Sequence, residues 1–130
     1  MRKILTCFIL FLLSIDLWAY DIEADNLLYR INSDPISLNI TSRSYLRKEY
    51  KIVIPSEIKY NEKTYIVNAI GNYAFEEHNI KSIVIPGGIT TFGKEIFYYC
   101  SDLKKVVFLE GLTEIPDRIF SGCSSLDSIN

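Results

Sequence analysis

Histidine and cysteine, the side chains that most often hold metals or act as nucleophiles, are scarce in this sequence. Among 130 residues there are three cysteines and one histidine, His78. No other metal-ligand residues surround His78 at ligand spacing, so a metal site is not predicted. Neither a G-x-S-x-G nucleophile turn nor a G-x-G-x-x-G phosphate loop occurs. We therefore predict a protein that is not an enzyme and has no cofactor or metal.

Charge of one sign is not concentrated in any long run, and the formal net charge at pH 7 is −2. Extended basic runs are typical of proteins that bind nucleic acid or acidic membrane surfaces. The sequence therefore predicts no nucleic-acid partner.

The longest apolar run, residues 4–15, falls well short of the ~20 residues that cross a bilayer as a helix. It follows the positive residues Arg2 and Lys3 and precedes residues 17–19, which is the layout of a secretory signal. We predict cleavage after Ala19, no membrane span after cleavage, and a secreted or cell-surface location.

Apolar residues recur every 22 or 23 positions in the C-terminal half of the chain. Ile83 and Ile85 return 23 residues later as Val106 and Phe108, and Leu103 returns as Leu126. A period in this range indicates a solenoid, in which stacked units cover one another's apolar faces. Further pairs in the same phase are Ile89 and Leu112, Phe92 and Ile115, Phe97 and Phe120, and Cys100 and Cys123.

The pattern within the unit, L-x-x-L-x-L, is the strand signature of a leucine-rich repeat. Because side chains alternate along a strand, we expect Val84 and Val107 to point outward. The pairs Ile89–Phe92 and Leu112–Ile115 should recross the core. A short helical or 3-10 turn should follow, with a phenylalanine as its inward plug. The residues expected to point inward from the strands are Ile83, Ile85, Val106 and Phe108.

The segment before residue 70 lacks the full repeat. Residues 27–31 and 36–40 have the pattern of two short strands around a turn at residues 33–35. Residues 57–60 and 64–67 flank residues 61–63 as a hairpin. Because the first unit of a solenoid exposes its core, we expect these strands to form a small β-hairpin N-terminal cap.

Three stretches resemble the BspA-type leucine-rich repeat family: IVIPSEIKYNEKTYIVNAIGNYAF, IKSIVIPGGITTFGKEIFYYCSDLKKVVF and EIPDRIFSGCSSL. The resemblance covers residues ~50–130. It departs from the family pattern at His78, which takes a cysteine position, and at the step from Phe108 to Leu109. The resemblance implies a mostly β leucine-rich-repeat solenoid with one curved parallel sheet. It also implies an adhesin-like role, because members with known roles are mostly surface or secreted proteins that bind host matrix proteins or other microbes.

Taken together, these patterns divide the chain into a signal peptide (1–19), a β cap (20–69) and repeats (70–130). The repeats amount to about two and a half units, the last incomplete at Asn130. Either the chain is a fragment of a longer protein, or its open edge pairs with another chain. We expect a binding protein with a protein or glycan partner at a cell surface. The alternative is a spacer or cap of a larger exported protein whose working domain lies beyond residue 130.

Two sets of residues are candidates for a role. Cys7 lies in the predicted signal, and Cys100 and Cys123 share one repeat phase. We expect stacked thiols, and a disulfide is the alternative if their Cα atoms lie within about 7 Å. The second set is the outward face of the strands, where a leucine-rich repeat normally meets its partner; ordinary β-propensity would give the same pattern. This predicted face comprises Lys51, Val53, Ser82, Val84, Lys105, Val107 and Ser128.

Overall fold

A computed structural model describes residues 22–24, 27–33, 36–43, 51–110, 112 and 114–130. The predicted signal peptide lies outside these residues. The described chain forms ten strands, with no helix among them. The strands are β1 (Ile22–Ala24), β2 (Leu27–Ser33), β3 (Ile36–Arg43), β4 (Lys51–Val53), β5 (Glu57–Tyr60), β6 (Lys63–Ile70), β7 (Ser82–Ile85), β8 (Thr91–Phe92), β9 (Lys105–Phe108) and β10 (Ser128–Ile129).

The N-terminal strands form one six-stranded sheet, in which β1, β2 and β3 are antiparallel neighbours. The two strands predicted around residues 33–35 are confirmed, since Ser33 of β2 pairs with Ile36 of β3. Strand β3 then runs parallel to β6, and β6 runs parallel to β8 of the following coil. The N-terminal strands therefore continue the stack of coils directly.

The hairpin predicted near residue 61 is also confirmed. Strands β5 and β6 are antiparallel, and Tyr60 pairs with Lys63 across a two-residue turn. The turn residues Asn61 and Glu62 have φ values of 48° and 62°. Two left-handed residues are what a type I′ turn requires, and that turn matches the twist of the strands it joins.

A second sheet contains four parallel strands in the order β10-β9-β7-β4. Each strand belongs to a successive coil, as the repeat predicted. The inward residues Ile83, Ile85 and Val106 are all at most 1% exposed. Phe108 is half-buried and packs against this core. The alternation expected from the sequence is confirmed at these positions.

The helical or 3-10 turn expected around each core phenylalanine is absent from the described coils, and six-residue turn segments take its place. The segments are 72–77, 94–99 and 117–122. Each contains two residues of positive φ, four positions apart: Tyr73 and Glu77, Glu95 and Tyr99, and Arg118 and Gly122.

The physical reason lies in the backbone hydrogen bonds. The N–H groups of Phe75 and Glu77 donate to the carbonyl oxygens of Ile96 and Tyr98 in the next coil, at 2.9 and 2.8 Å. A helical or 3-10 turn would direct these N–H groups to carbonyls four or three residues earlier in the same coil. One turn bond remains within the segment, from the Glu76 N–H to the Tyr73 carbonyl at 3.1 Å, but the bonds to the next coil take the place of a continuous helical ladder.

Three aromatic rings form the centre of the stack. Phe97 lies parallel to Phe75, with ring centroids 5.4 Å apart, and to Phe120, with centroids 5.5 Å apart. Phe75 and Phe97 are fully buried, whereas Phe120 is half-buried. We call these three residues the phenylalanine column. It confirms the prediction that each coil places one phenylalanine inward.

The second apolar pair of each coil recrosses the core in one coil and only partly in the next. Ile89 is buried, and Phe92 packs edge-to-face against Phe108 at 6.3 Å. In the following coil Leu112 is half-buried, but Ile115 is 45% exposed, so its predicted place in the core is wrong. Phe92 belongs to a paired strand and is covered by the next coil, whereas no described coil lies over Ile115.

Candidate partner-binding face

The four-stranded sheet brings its outward valines into register. Val53 of β4 pairs with Val84 of β7, which pairs with Val107 of β9. Neighbouring strands lie about 4.8 Å apart, so these three side chains form a continuous apolar row. We call it the valine row. Val53 is 57% exposed, and Val84 and Val107 are half-buried.

A second row lies two residues earlier on the same strands. Lys51 pairs with Ser82, Ser82 pairs with Lys105, and Lys105 pairs with Ser128. We call this the lysine–serine row. The two lysines are exposed and the two serines are half-buried. The valine row and the lysine–serine row together form the sheet face. The sheet thus assembles all seven residues of the predicted face, and their role in binding stays a prediction.

Two further lysines border the sheet face and were not predicted from the sequence. Lys81 and Lys104 precede β7 and β9, and both are exposed. The Lys104 N–H donates to the Lys81 carbonyl at 2.9 Å, and the Asp127 N–H donates to the Lys104 carbonyl at 2.9 Å. These residues therefore form a third row, which we call the corner row. The signal was available, because the three residues are spaced 23 apart.

The two cysteines are free thiols in adjacent coils. The Cys100 thiol donates to the Phe75 carbonyl at 2.9 Å, and the Cys123 thiol donates to the Phe97 carbonyl at 3.1 Å. Burial raises the pKa of the Cys123 thiol, against a smaller lowering by a hydrogen bond that its sulfur accepts from the Cys100 backbone. The structure places the two thiols in the stacked arrangement expected from the sequence, with no disulfide between them.

On the turn side of the coils, three tyrosines pack together. Tyr98 meets Tyr73 and Tyr99 edge-to-face, with ring centroids 6.3 and 4.4 Å away. The Tyr73 hydroxyl donates to the Glu95 carboxylate, and this bond and the carboxylate charge raise the pKa of Tyr73. A hydrogen bond with Tyr99 likewise raises the pKa of Tyr98. This cluster was not predicted from the sequence.

Among the described residues, no three His, Cys, Asp or Glu side chains converge in a way that could hold a metal ion. His78, in the turn where a surface position was expected, is half-buried. The described part of the chain also contains no helix that is long and apolar enough to span a membrane.

Stacked coils that contribute parallel strands to one sheet and one phenylalanine each to the core define a leucine-rich-repeat protein. The chain belongs to the BspA-type leucine-rich repeat family, because the pattern described as "BspA type Leucine rich repeat region (6 copies)" matches residues 50–130. The resemblance seen in the sequence is thereby confirmed. A comparison with curated proteins found no match.

Solved structures agree with this assignment. The chain is 26% identical to a leucine-rich cell surface protein from Faecalibacterium prausnitzii, with a TM-score of 0.68, and the match covers 81% of this chain and 28% of that one. It is also 26% identical to a leucine-rich repeat protein from Bacteroides ovatus, with a TM-score of 0.76, and this match covers 85% of this chain and 29% of that one.

A third structure supports the fold alone. This leucine-rich repeat protein from Bacteroides capillosus is 20% identical, with a TM-score of 0.65 over 83% of this chain and 95% of that one. The chain therefore spans less than a third of the first two structures and nearly the whole of the third.

Proposed function

We propose that this chain is an exported, non-catalytic binding protein that contacts a protein partner at a cell surface through its parallel sheet. The proposal is supported by the composition of the sheet face. Its valine row places an apolar strip, with Val53 57% exposed, beside exposed lysines. Protein interfaces are typically built this way, with a desolvated apolar centre and a polar rim.

Export is supported by two independent observations. Residues 1–19 have the charge and apolar layout of a secretory signal. The F. prausnitzii relative is described as a cell surface protein. An exported protein is exposed to other cells, matrix proteins and glycans, and any of these can contact the sheet face.

The scarcity of histidine and the lack of nucleophile and phosphate-binding motifs support a non-catalytic role. A broad, four-stranded repeat sheet suits recognition of a partner surface better than it suits chemistry on a small substrate. Binding is therefore the function that these residues favour.

A second candidate is a spacer or cap within a larger exported protein whose working domain lies beyond residue 130. It is favoured by the length of the relatives, since the chain spans 28% and 29% of two of them. It is also favoured by exposed apolar side chains in the last described coil. Leu109, Ile115 and Ile129 are 50%, 45% and 41% exposed. Whether the reading frame continues past residue 130 into an enzyme domain separates the two candidates.

The proposal is tested by binding of the purified full chain to immobilised matrix proteins and glycans. Surface plasmon resonance gives the dissociation constant, and circular dichroism shows that the chain is folded. Saturable binding to a protein supports the proposal. Saturable binding to a glycan alone would mean that the partner is a carbohydrate and not a protein. A folded chain that binds none of these molecules saturably would favour the spacer.

A further inference from the structure

The sheet face and the corner row beside it are together more positive than the chain as a whole. The complete sequence has 14 basic and 16 acidic residues. The lysine–serine row and the corner row nevertheless contain four exposed lysines, Lys51, Lys81, Lys104 and Lys105. The acidic residue in these rows is Asp127, which lies beyond Lys104 in the corner row. A partner with negative charge would therefore match this surface.

Register concentrates these charges. Lys51 and Lys105 both pair with Ser82, so their Cα atoms lie about 10 Å apart, on either side of it. Lys81 and Lys104 are joined by a backbone hydrogen bond between consecutive coils. The like charges of Lys51 and Lys105, on either side of Ser82, repel one another, and carboxylates from a partner would relieve that repulsion.

The valine row determines which kind of anion fits. A sulfated or carboxylated polysaccharide could neutralise the lysines, but it offers no apolar side chains to cover Val53, Val84 and Val107. A polypeptide can offer both kinds of group. On one extended strand, residues on the same face lie about 6.6 Å apart, which is also the separation of Lys51 from Val53.

We propose that the sheet face binds an extended polypeptide segment in which acidic and apolar side chains alternate on one face. Such a segment, lying along the strand direction, sets a carboxylate over the lysine–serine row and an apolar group over the valine row. This inference rests on the proposed function, because it names the chemistry of the partner that the same face takes.

The test uses the full chain and synthetic peptides of about twelve residues, long enough to cross the face. The first peptide repeats Glu-Ser-Val-Ser. In the second, lysine replaces glutamate, and in the third, glycine replaces valine. Dextran sulfate serves as a polyanion without apolar side chains. Fluorescence polarisation measures each dissociation constant at about 0.05 M and 0.3 M salt. The higher salt concentration shortens the screening length about 2.5-fold.

At low salt, we expect the acidic–apolar peptide (the first peptide) to bind about tenfold more tightly than the other probes. Its own affinity should fall when the salt concentration is raised. The double substitution K104E/K105E should weaken it about tenfold. Lys59→Glu, on the exposed side of the β5–β6 hairpin, is the matched control and should leave it within twofold.

Three results would overturn the inference. The lysine peptide could bind as tightly as the acidic–apolar peptide, or the glycine peptide or dextran sulfate could do so. The third result is that K59E and K104E/K105E weaken binding of the acidic–apolar peptide to the same extent. If the lysine peptide binds and V84Q/V107Q abolishes that binding, the inference fails while the proposed function stands. If none of the peptides binds and the chain also binds none of the immobilised proteins, both fail.

Discussion

The thiol of Cys100 donates a hydrogen bond of 2.9 Å to the carbonyl oxygen of Phe75, one coil earlier in the stack. Cys123 repeats this contact with Phe97 at 3.1 Å. Cysteine is small enough to lie in the core beside the phenylalanine column, and its S–H still satisfies a carbonyl group. The recurring cysteine is therefore explained by packing and hydrogen bonding, and neither metal binding nor a disulfide is needed.

Both thiols should stay reduced and react slowly in the folded protein. Because burial raises the pKa of Cys123 above its ordinary value of 9.0, its thiolate forms at higher pH than that of a free cysteine. Alkylation by iodoacetamide, located by peptide mapping, should be slow at pH 8, faster at higher pH, and fast for both residues in urea. An intact linkage between Cys100 and Cys123 in the non-reduced protein would contradict this.

The raised pKa of Cys123 also determines how the stability of the folded chain changes with pH. The unfolded chain loses its Cys123 proton at a lower pH than the folded chain does. The stabilising contribution is therefore complete below the unfolded-state pKa and is lost as the pH rises through the folded-state value. The raised pKa of Tyr73 acts in the same direction.

The phenylalanine column should account for a large part of the stability. Phe97 is fully buried between Phe75 and Phe120, so Phe97→Ala should cost about 3–5 kcal/mol. Phe120→Ala, at a half-buried position, should cost less. Urea denaturation followed by circular dichroism measures both. If F97A proved too unstable to study, Phe97→Leu would provide the comparison. The account would be contradicted if F97A lost no more free energy of unfolding than F120A.

Two glycines provide a matched pair for testing how closely the coils approach. A Cβ atom on Gly93 would lie 2.4 Å from the backbone nitrogen of Asn72, whereas one on Gly88 would meet nothing nearer than the Val67 carbonyl at 3.8 Å. Gly93→Ala should therefore lower the free energy of unfolding by about 1–3 kcal/mol, since overpacking forces the backbone to move. Gly88→Ala should change it by less than about 0.5 kcal/mol. Equal effects in thermal denaturation would show that the coils are not packed as described.

Much of the fold was predictable because its cause is local. Hydrophobic alternation sets which strand residues point inward, and the spacing of 23 residues is enough to place Val84 beside Val107 in neighbouring coils. The turn at Asn61 and Glu62 likewise follows from two alternating strands with polar residues between them. The predicted division at residue 70 stays a prediction.

The remaining features depend on contacts between coils. Tyr73 and Glu95 adopt positive φ because their segments bond to the next coil, and no propensity of tyrosine or glutamate predicts this. The exposure of Ile115 depends on what covers it, which a repeat pattern does not state. Lys81 and Lys104 were missed because the alternation rule applies within a strand, and both residues precede one.

We propose that, where no further coil follows residue 130, the edge strand β10 pairs with a second copy of the chain. Among the described strands β10 pairs with β9 alone, and Ile129 is 41% exposed at this edge. Such an edge is a template for strand pairing. Light scattering after size-exclusion chromatography should show dimers of the full chain that increase with concentration, and Ile129→Lys should reduce them. A monomer at all concentrations, or dimers unaffected by I129K, would contradict the proposal.

The most direct test of the account is whether binding depends on the sheet face. Binding of the full chain to its protein partner, measured by surface plasmon resonance, is compared with that of V84Q/V107Q and of Ile66→Gln. Ile66 is an exposed apolar residue on the other sheet, so I66Q is a matched control. We predict that V84Q/V107Q, folded by circular dichroism, binds about tenfold more weakly while I66Q binds normally. Unchanged binding by V84Q/V107Q would show that the sheet face is not the binding surface.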